Sequence, residues 1–384
     1  MKLVIAPDSF KESLDAESVA HAIAKGIAST VTNVDIHCVP VADGGEGTTE
    51  ALIAATSGQL HSAEVAGPLG QSLKAIWGVL GDQEGVPLTA VIETAAASGL
   101  DKILPEQRDA LMASTYGTGE LILKALDQGA RRIIMGLGGS ATNDGGSGLL
   151  KALGAKFIDA SGDEITEGGA ALANLDRIDL TGFDPRLAET EFLVACDVDN
   201  PLLGGRGASA IFGPQKGATP AQVQQLDKAL ARFADISAEL LGKDFRNREG
   251  AGAAGGLGYA LVQFLEARLA PGIDLVLEAV DFHKTLEDAD LVITGEGQMD
   301  GQSLSGKTPV GVARWAKQHN LPVIALCGSI GEGAEGVHDV GIDALFSVVP
   351  GVCRLEEALA NGAENLERTG AQIGRLLSLK TIQI

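Results

Sequence analysis

The chain has 384 residues, 45% of them hydrophobic, which is enough for packed cores and too long for one ordinary core. Its formal net charge of −22 argues against nucleic acid and anionic membranes as partners. An anionic substrate would have to be met by local cations, helix N-termini or a metal ion, and no apolar run approaches the roughly 18 residues of a membrane span.

The start, Lys2 to Ala6, reads as a buried strand and not as a signal peptide. Residues 15–29 carry Val19, Ala22, Ile23 and Ile27 on one face, a helix with Asp15 as its N-cap. Residues 34–41 are a second strand, and 47–55 begin a second helix near Thr48 or Thr49. This βαβα start implies parallel pairing. Residues 64–66, 73–80 and 89–93 look like short, hairpin-like strands. A helix over 118–128 stops at Gly129, followed by a strand at 132–137, a glycine run and a helix to about 153. A strand over 190–196 follows, and Thr219-Pro220 opens a long helix. Residues 253–268 form another helix. The last hundred residues return to the opening style, with strands at 289–294, 322–327 and 344–349 and helices at 308–318 and 355–377.

The two ends resemble each other and the middle differs. The expected fold class is therefore α/β: a discontinuous, Rossmann-like doubly wound domain from 1–62 and 286–384, with a mixed α/β domain inserted at 63–285. Ligand binding is expected in the cleft between them, where strand ends and loops meet.

The four cysteines, Cys38, Cys196, Cys327 and Cys353, are too scattered for a zinc set or a CxxC pair, and a cytoplasmic location is expected. The six histidines lie outside every glycine-rich loop, which disfavours histidine-based catalysis. Fifty-one glycines cluster in loops with Asp, Glu, Asn, Ser or Lys, and clustered glycine marks backbone that approaches a ligand or takes positive φ. Two short motifs have limited weight. Gly301 to Thr308 fits the Walker A letters, but Glu296 and Asp300 stand between it and the strand. Gly306-Lys307 at a helix start still suits phosphate. Gly136 to Ala141 fits G-x-G-x-x-A and raises the alternative of a nicotinamide-dependent hydroxyacid oxidoreductase.

Many carboxylates, a few lysines and glycine backbone make the set that phosphoryl transfer needs. The matching stretches are Ile5 to Ser13, Val41 to Thr48, Gly138 to Gly146, Ala195 to Leu202, Phe212 to Gly217, Gly250 to Gly256 and Ile293 to Gly297. In these the chain resembles the bacterial type I glycerate kinases from Met1 almost to its C-terminus. The resemblance implies phosphorylation of D-glycerate dependent on ATP and Mg²⁺, giving 2-phosphoglycerate in preference to 3-phosphoglycerate. It also implies two α/β domains and small-molecule partners, without nucleic acid or membrane. The oligomeric state stays open, a homo-oligomer included.

Chemistry then assigns expected roles. Asp43, Glu46, Glu296 and Asp300 form an acidic ring for Mg²⁺. Asp197, with Asp144 second, activates the substrate hydroxyl. Lys11 and Lys216 neutralise substrate carboxylate or phosphate, Lys11 close to the chemistry. Gly138, Gly139, Ser140, Gly306 and Lys307 bind phosphate, and Asp8, Ser9, Asn143 and Arg206 complete the binding set.

Overall fold

The computed structural model describes residues 1–81 and 85–379. In chain order the strands are β1 (Lys2–Ile5), β2 (Asp35–Cys38), β3 (Gln59–Ala66), β4 (Ser72–Val79), β5 (Thr89–Glu93), β6 (Arg132–Gly136), β7 (Lys156–Asp159), β8 (Leu175–Asp179), β9 (Glu191–Ala195), β10 (Arg268–Ala270), β11 (Leu291–Met299), β12 (Val323–Ile330) and β13 (Ala344–Ser347). Two compact units result. One comprises 1–43, 50–57 and 273–384, and the other 44–49 and 58–272. The chain changes unit at 57/58 and 272/273, where the sequence suggests 62/63 and 285/286. The short segment 44–49 belongs to the second unit.

The first unit is a Rossmann-like doubly wound domain made from both ends of the chain. Its sheet runs β13-β12-β11-β1-β2, every pair parallel. Leu3 and Ile5 lie beside Leu291 and Ile293, and all four are buried with Ile23, Ile27, Leu366 and Ile373. Burial on both faces is what unbroken apolar strands provide. The helix Ala16–Ala28 starts where Asp15 accepts the Ser18 N–H at 2.7 Å. It lies so close to the helix Gly362–Leu377 that a Cβ on Gly26 would meet the Glu367 carbonyl oxygen at 2.0 Å.

The second unit is mixed. β10, β9, β6 and β5 are parallel, and β5-β4-β3 continue as antiparallel strands. β7 and β8 form a separate antiparallel pair. The core centres on Phe157, Phe233 and Tyr259, with the Tyr259 ring edge-on to Phe233 at 5.6 Å. The long helix Pro220–Leu241 begins with a capping box between Thr219 and Gln222.

Three expected boundaries are corrected. β11 does not stop near Thr294: pairing with β12 continues to Met299, and Gly295 and Gly328 add no side chain where the two strands crowd and a Cβ would lie 2.2 Å from the Leu326 carbonyl oxygen and 2.6 Å from that of Gly297, respectively. Glu296 is therefore a strand residue and not part of a loop. The final helix is two, Leu355–Ala360 and Gly362–Leu377, divided at Asn361. The helix Ala253–Leu265 opens with Ala254, Gly255 and Gly256 in left-handed conformation, so its regular part begins at Leu257. Among the described residues, no helix is long and apolar enough to cross a membrane.

Candidate active site

In the first unit, the carboxylate cluster forms at the C-terminal ends of β1 and β11. The Asp8 amide donates to the Gly295 carbonyl at 2.9 Å, extending the parallel pairing beyond β1. Asp8 Oδ2 accepts the Thr308 hydroxyl at 2.5 Å and Oδ1 accepts the Ser9 amide at 2.6 Å. Burial raises the Asp8 carboxyl to about 6, against the pull of the Thr308 hydrogen bond and with the added repulsion of Asp43. Glu296, buried in β11, accepts the Ser303 hydroxyl at 2.5 Å. Burial lifts it to about 7. Ser303 and Lys307 oppose that rise, while Asp8 and Asp300 add to it. Asp300 is held below the usual carboxylate range, mainly by the Gln302 amide at 2.8 Å. Thus Asp8, Asp43, Glu296, Asp300 and Lys307 share one electrostatic neighbourhood. Lys307 sits at the N-cap of the helix Thr308–Gln318, after Gly306 at φ +92°. Lys11 is exposed. Glu46, also exposed, belongs to the second unit and not to the unit that holds Asp43.

The second unit gathers a different set. The loop 137–146 follows β6. Gly138 and Gly139 are exposed, and residues 140–150 are buried. Lys216 is fully buried and donates to Ser140 Oγ at 2.8 Å and to the Thr142 carbonyl at 2.7 Å. Burial lowers its ammonium to about 7, and the charge of Asp144 works the other way. Asp144 is also fully buried. Its carboxylate accepts the Thr115 amide and hydroxyl, both at 2.8 Å, and the Gly146 and Gly148 amides at 3.0 and 3.2 Å. Four donors suit the anion, although burial pushes its pKa up. Asp144 is thus anchored inside the second unit. Asn143 donates to Ser209 Oγ at 2.9 Å. Asp197, exposed after β9, accepts the Gly272 amide at 3.1 Å. Arg206 lies exposed and is paired to Asp199 at 2.6 Å. A cation that sequence reasoning passed over, Arg108, donates to the Gln215 carbonyl at 3.2 Å, beside Lys216.

The loop 137–146 is locked by glycine. Gly145 donates to the Gly255 carbonyl at 3.0 Å, and a Cβ on Gly255 would meet the Thr142 carbonyl oxygen at 2.0 Å. Both glycines have positive φ. The helix that follows begins only at Ser147, whereas a dinucleotide fingerprint opens its helix within the glycine motif. The nicotinamide alternative therefore loses its structural basis.

The family comparison decides the class. The profile described as the glycerate kinase family matches residues 3–378. The chain belongs to the glycerate kinase family. It is 53% identical to the glycerate kinase of Bacillus subtilis (strain 168), across 99% of this chain and 98% of that protein. It is 50% identical to the glycerate 2-kinase of Escherichia coli (strain K12), again across 99% and 98%. A crystal structure assigned as glycerate kinase 2 from Salmonella typhimurium LT2 superposes with a TM-score of 0.90 at 49% identity, covering 98% of each chain. As a glycerate kinase family member, the chain is a phosphotransferase with an alcohol group as acceptor.

Proposed function

We infer that the chain transfers the γ-phosphoryl group of ATP, with Mg²⁺, to the 2-hydroxyl of D-glycerate, giving 2-phosphoglycerate. The observation that carries this reading is the carboxylate cluster of Asp8, Asp43, Glu296 and Asp300 beside Lys307. Hard oxygen donors of this kind suit Mg²⁺; among the described residues no three of them stand together as a ready-made metal site, so one or two of these carboxylates would hold the metal together with phosphate oxygens. Bound there, Mg²⁺ supplies charge neutralisation on the phosphate oxygens. In the first unit Lys307 and the N-terminus of its helix attract phosphate oxygens; in the second, the backbone of the exposed Gly138 and Gly139 offers donors of the same kind. Lys216 supplies positive charge beneath that loop. Asp197, exposed at a strand end, takes the proton of the substrate hydroxyl. Lys11 completes the cation set, and we give Arg206 no part. Support for the 2-position comes from the Escherichia coli relative, which carries that specificity in its name. The reaction belongs in the cytoplasm, where its nucleotide is available.

One assay separates the isomers. The product is coupled to enolase with no phosphoglycerate mutase present. Immediate formation of phosphoenolpyruvate supports 2-phosphorylation, and a signal that waits for added mutase overturns it. Absence of ADP release with glycerate, ATP and Mg²⁺ would sink the kinase reading as a whole.

A further inference from the structure

We propose that Arg108 is the residue that recognises the carboxylate of the acceptor, so that it selects a small hydroxy acid over a neutral polyol. This rests on the glycerate kinase reading above and assigns one end of its substrate.

Arg108 lies in the segment before the buried Ala110, and its side chain is half-buried. One terminal nitrogen donates to the Gln215 carbonyl at 3.2 Å. Its Nε is buried and donates to no protein acceptor. Among the described residues, no carboxylate lies within ion-pair distance of it. That is a notable condition in a chain with 51 acidic and 29 basic side chains. A buried guanidinium nitrogen left without an acceptor costs free energy unless something else accepts from it.

Its surroundings say what that acceptor is. A Cβ on Gly217 would lie 2.6 Å from the Arg108 carbonyl oxygen, so the two segments run in direct contact. Between Gln215 and Gly217 stands Lys216, which reaches Ser140 and Thr142. Arg108 and Lys216 therefore lie in segments packed against one another, in a protein whose overall field repels anions. The two differ in shape. The lysine is a compact charge already tied to two oxygens, whereas the planar guanidinium has its Nε buried without an acceptor, and a carboxylate is the group its fork would meet with two parallel hydrogen bonds once that edge is uncovered. A carboxylate is also the one permanent charge on a glycerate-like acceptor. Arg108 thus fixes the acid end of the substrate.

The test is steady-state kinetics on the full-length enzyme with Arg108→Gln and Arg108→Lys, varying D-glycerate and ATP separately and using glycerol as the carboxylate-free acceptor. Arg108→Gln is expected to raise the KM for D-glycerate by ~100-fold, in line with loss of a bidentate charged contact, while the KM for ATP stays within ~2-fold. The preference for D-glycerate over glycerol should shrink by the same factor. Arg108→Lys keeps the charge without the fork and should fall between. If Arg108→Gln does not fold, as judged by its melting transition, Arg108→Lys alone decides, because a selective rise in the glycerate KM supports the assignment. Unchanged glycerate KM in the lysine variant, or an equal rise in both KM values, overturns it. Wild-type enzyme that fails to phosphorylate D-glycerate at all would instead overturn the kinase reading.

Discussion

Thr308 and Asp8 stand 300 positions apart in sequence, and the hydroxyl of one donates to the carboxylate of the other at 2.5 Å. The bond ties the first turn of the helix Thr308–Gln318 to the end of β1. It fixes one oxygen of a carboxylate that burial alone would leave poorly charged. Thr308→Val keeps the shape and removes the donor. Turnover with saturating substrates is expected to fall by ~10-fold or more, the factor that about 1.4 kcal/mol of lost positioning produces. Thr308→Ser should restore most of it. A valine variant with normal kcat would show that the bond serves only the fold.

Acidification should weaken metal binding. Asp8 and Glu296 hold protons up to about pH 6 and 7 in the metal-free protein. Mg²⁺ must displace those protons, so its apparent affinity rises with pH until both groups are ionised. Calorimetric titration of Mg²⁺ between pH 5.5 and 8 is expected to show this rise, with proton release, and Asp8→Asn should flatten it. The metal-free fold should respond in the opposite sense. The folded state binds protons more tightly than the unfolded chain here, so its melting temperature should fall as pH rises from 4 towards 7. Identical Mg²⁺ affinity at both ends of the range would refute the coupling.

Lys216 predicts the other limb. Its ammonium, brought down to about 7 by burial, loses its charge as pH rises through that value. The value of kcat/KM, which reports the free enzyme, should therefore decline above about pH 7. Lys216→Met should be slow and should lack this limb. A limb that persists in the methionine variant must belong to another group.

Gly255→Ala tests the lock on the 137–146 loop. The added methyl would sit 2.0 Å from the Thr142 carbonyl oxygen, at a residue with φ +70°. A loss of roughly 2–4 kcal/mol in unfolding free energy is expected, read by denaturant titration, because strain and a backbone clash act together. A variant as stable as the wild type would mean that the segments carrying Thr142 and Gly255 separate at little cost.

Much of this was visible in the residues. β1, β5 and the helices at 16–28, 220–241 and 308–318 announced themselves through apolar runs or caps, since both signals are local. β7 and β8 were missed as a pair: 155–158 showed only an apolar stretch, and its partner lies beyond a loop of some fifteen residues. The acids Asp43, Glu296 and Asp300 were legible from their glycine-rich settings, and Asp8 from its place after the first strand. Its grouping with them was not, because it depends on β1 lying beside β11. The enclosure of Asp144 was not legible either, because composition cannot show four donors folding around one carboxylate. Arg108 carried no signal, for it stands in a polar stretch with no glycine and owes its interest to Gln215, more than a hundred residues on.

The parallel pairing of β1 with β11 also sets a schedule for synthesis. β1 can be made at once, yet the strand on one side of it starts at Leu291. At ribosomal rates of roughly 5–20 residues per second, the first strand waits ~15–60 s for that neighbour. The stretch 58–272 emerges complete in the meantime and can settle its own core. β1 is then among the last strands to gain neighbours on both sides, and its apolar residues Leu3, Val4 and Ile5 stay open to chaperone capture until the ribosome has passed the end of β11.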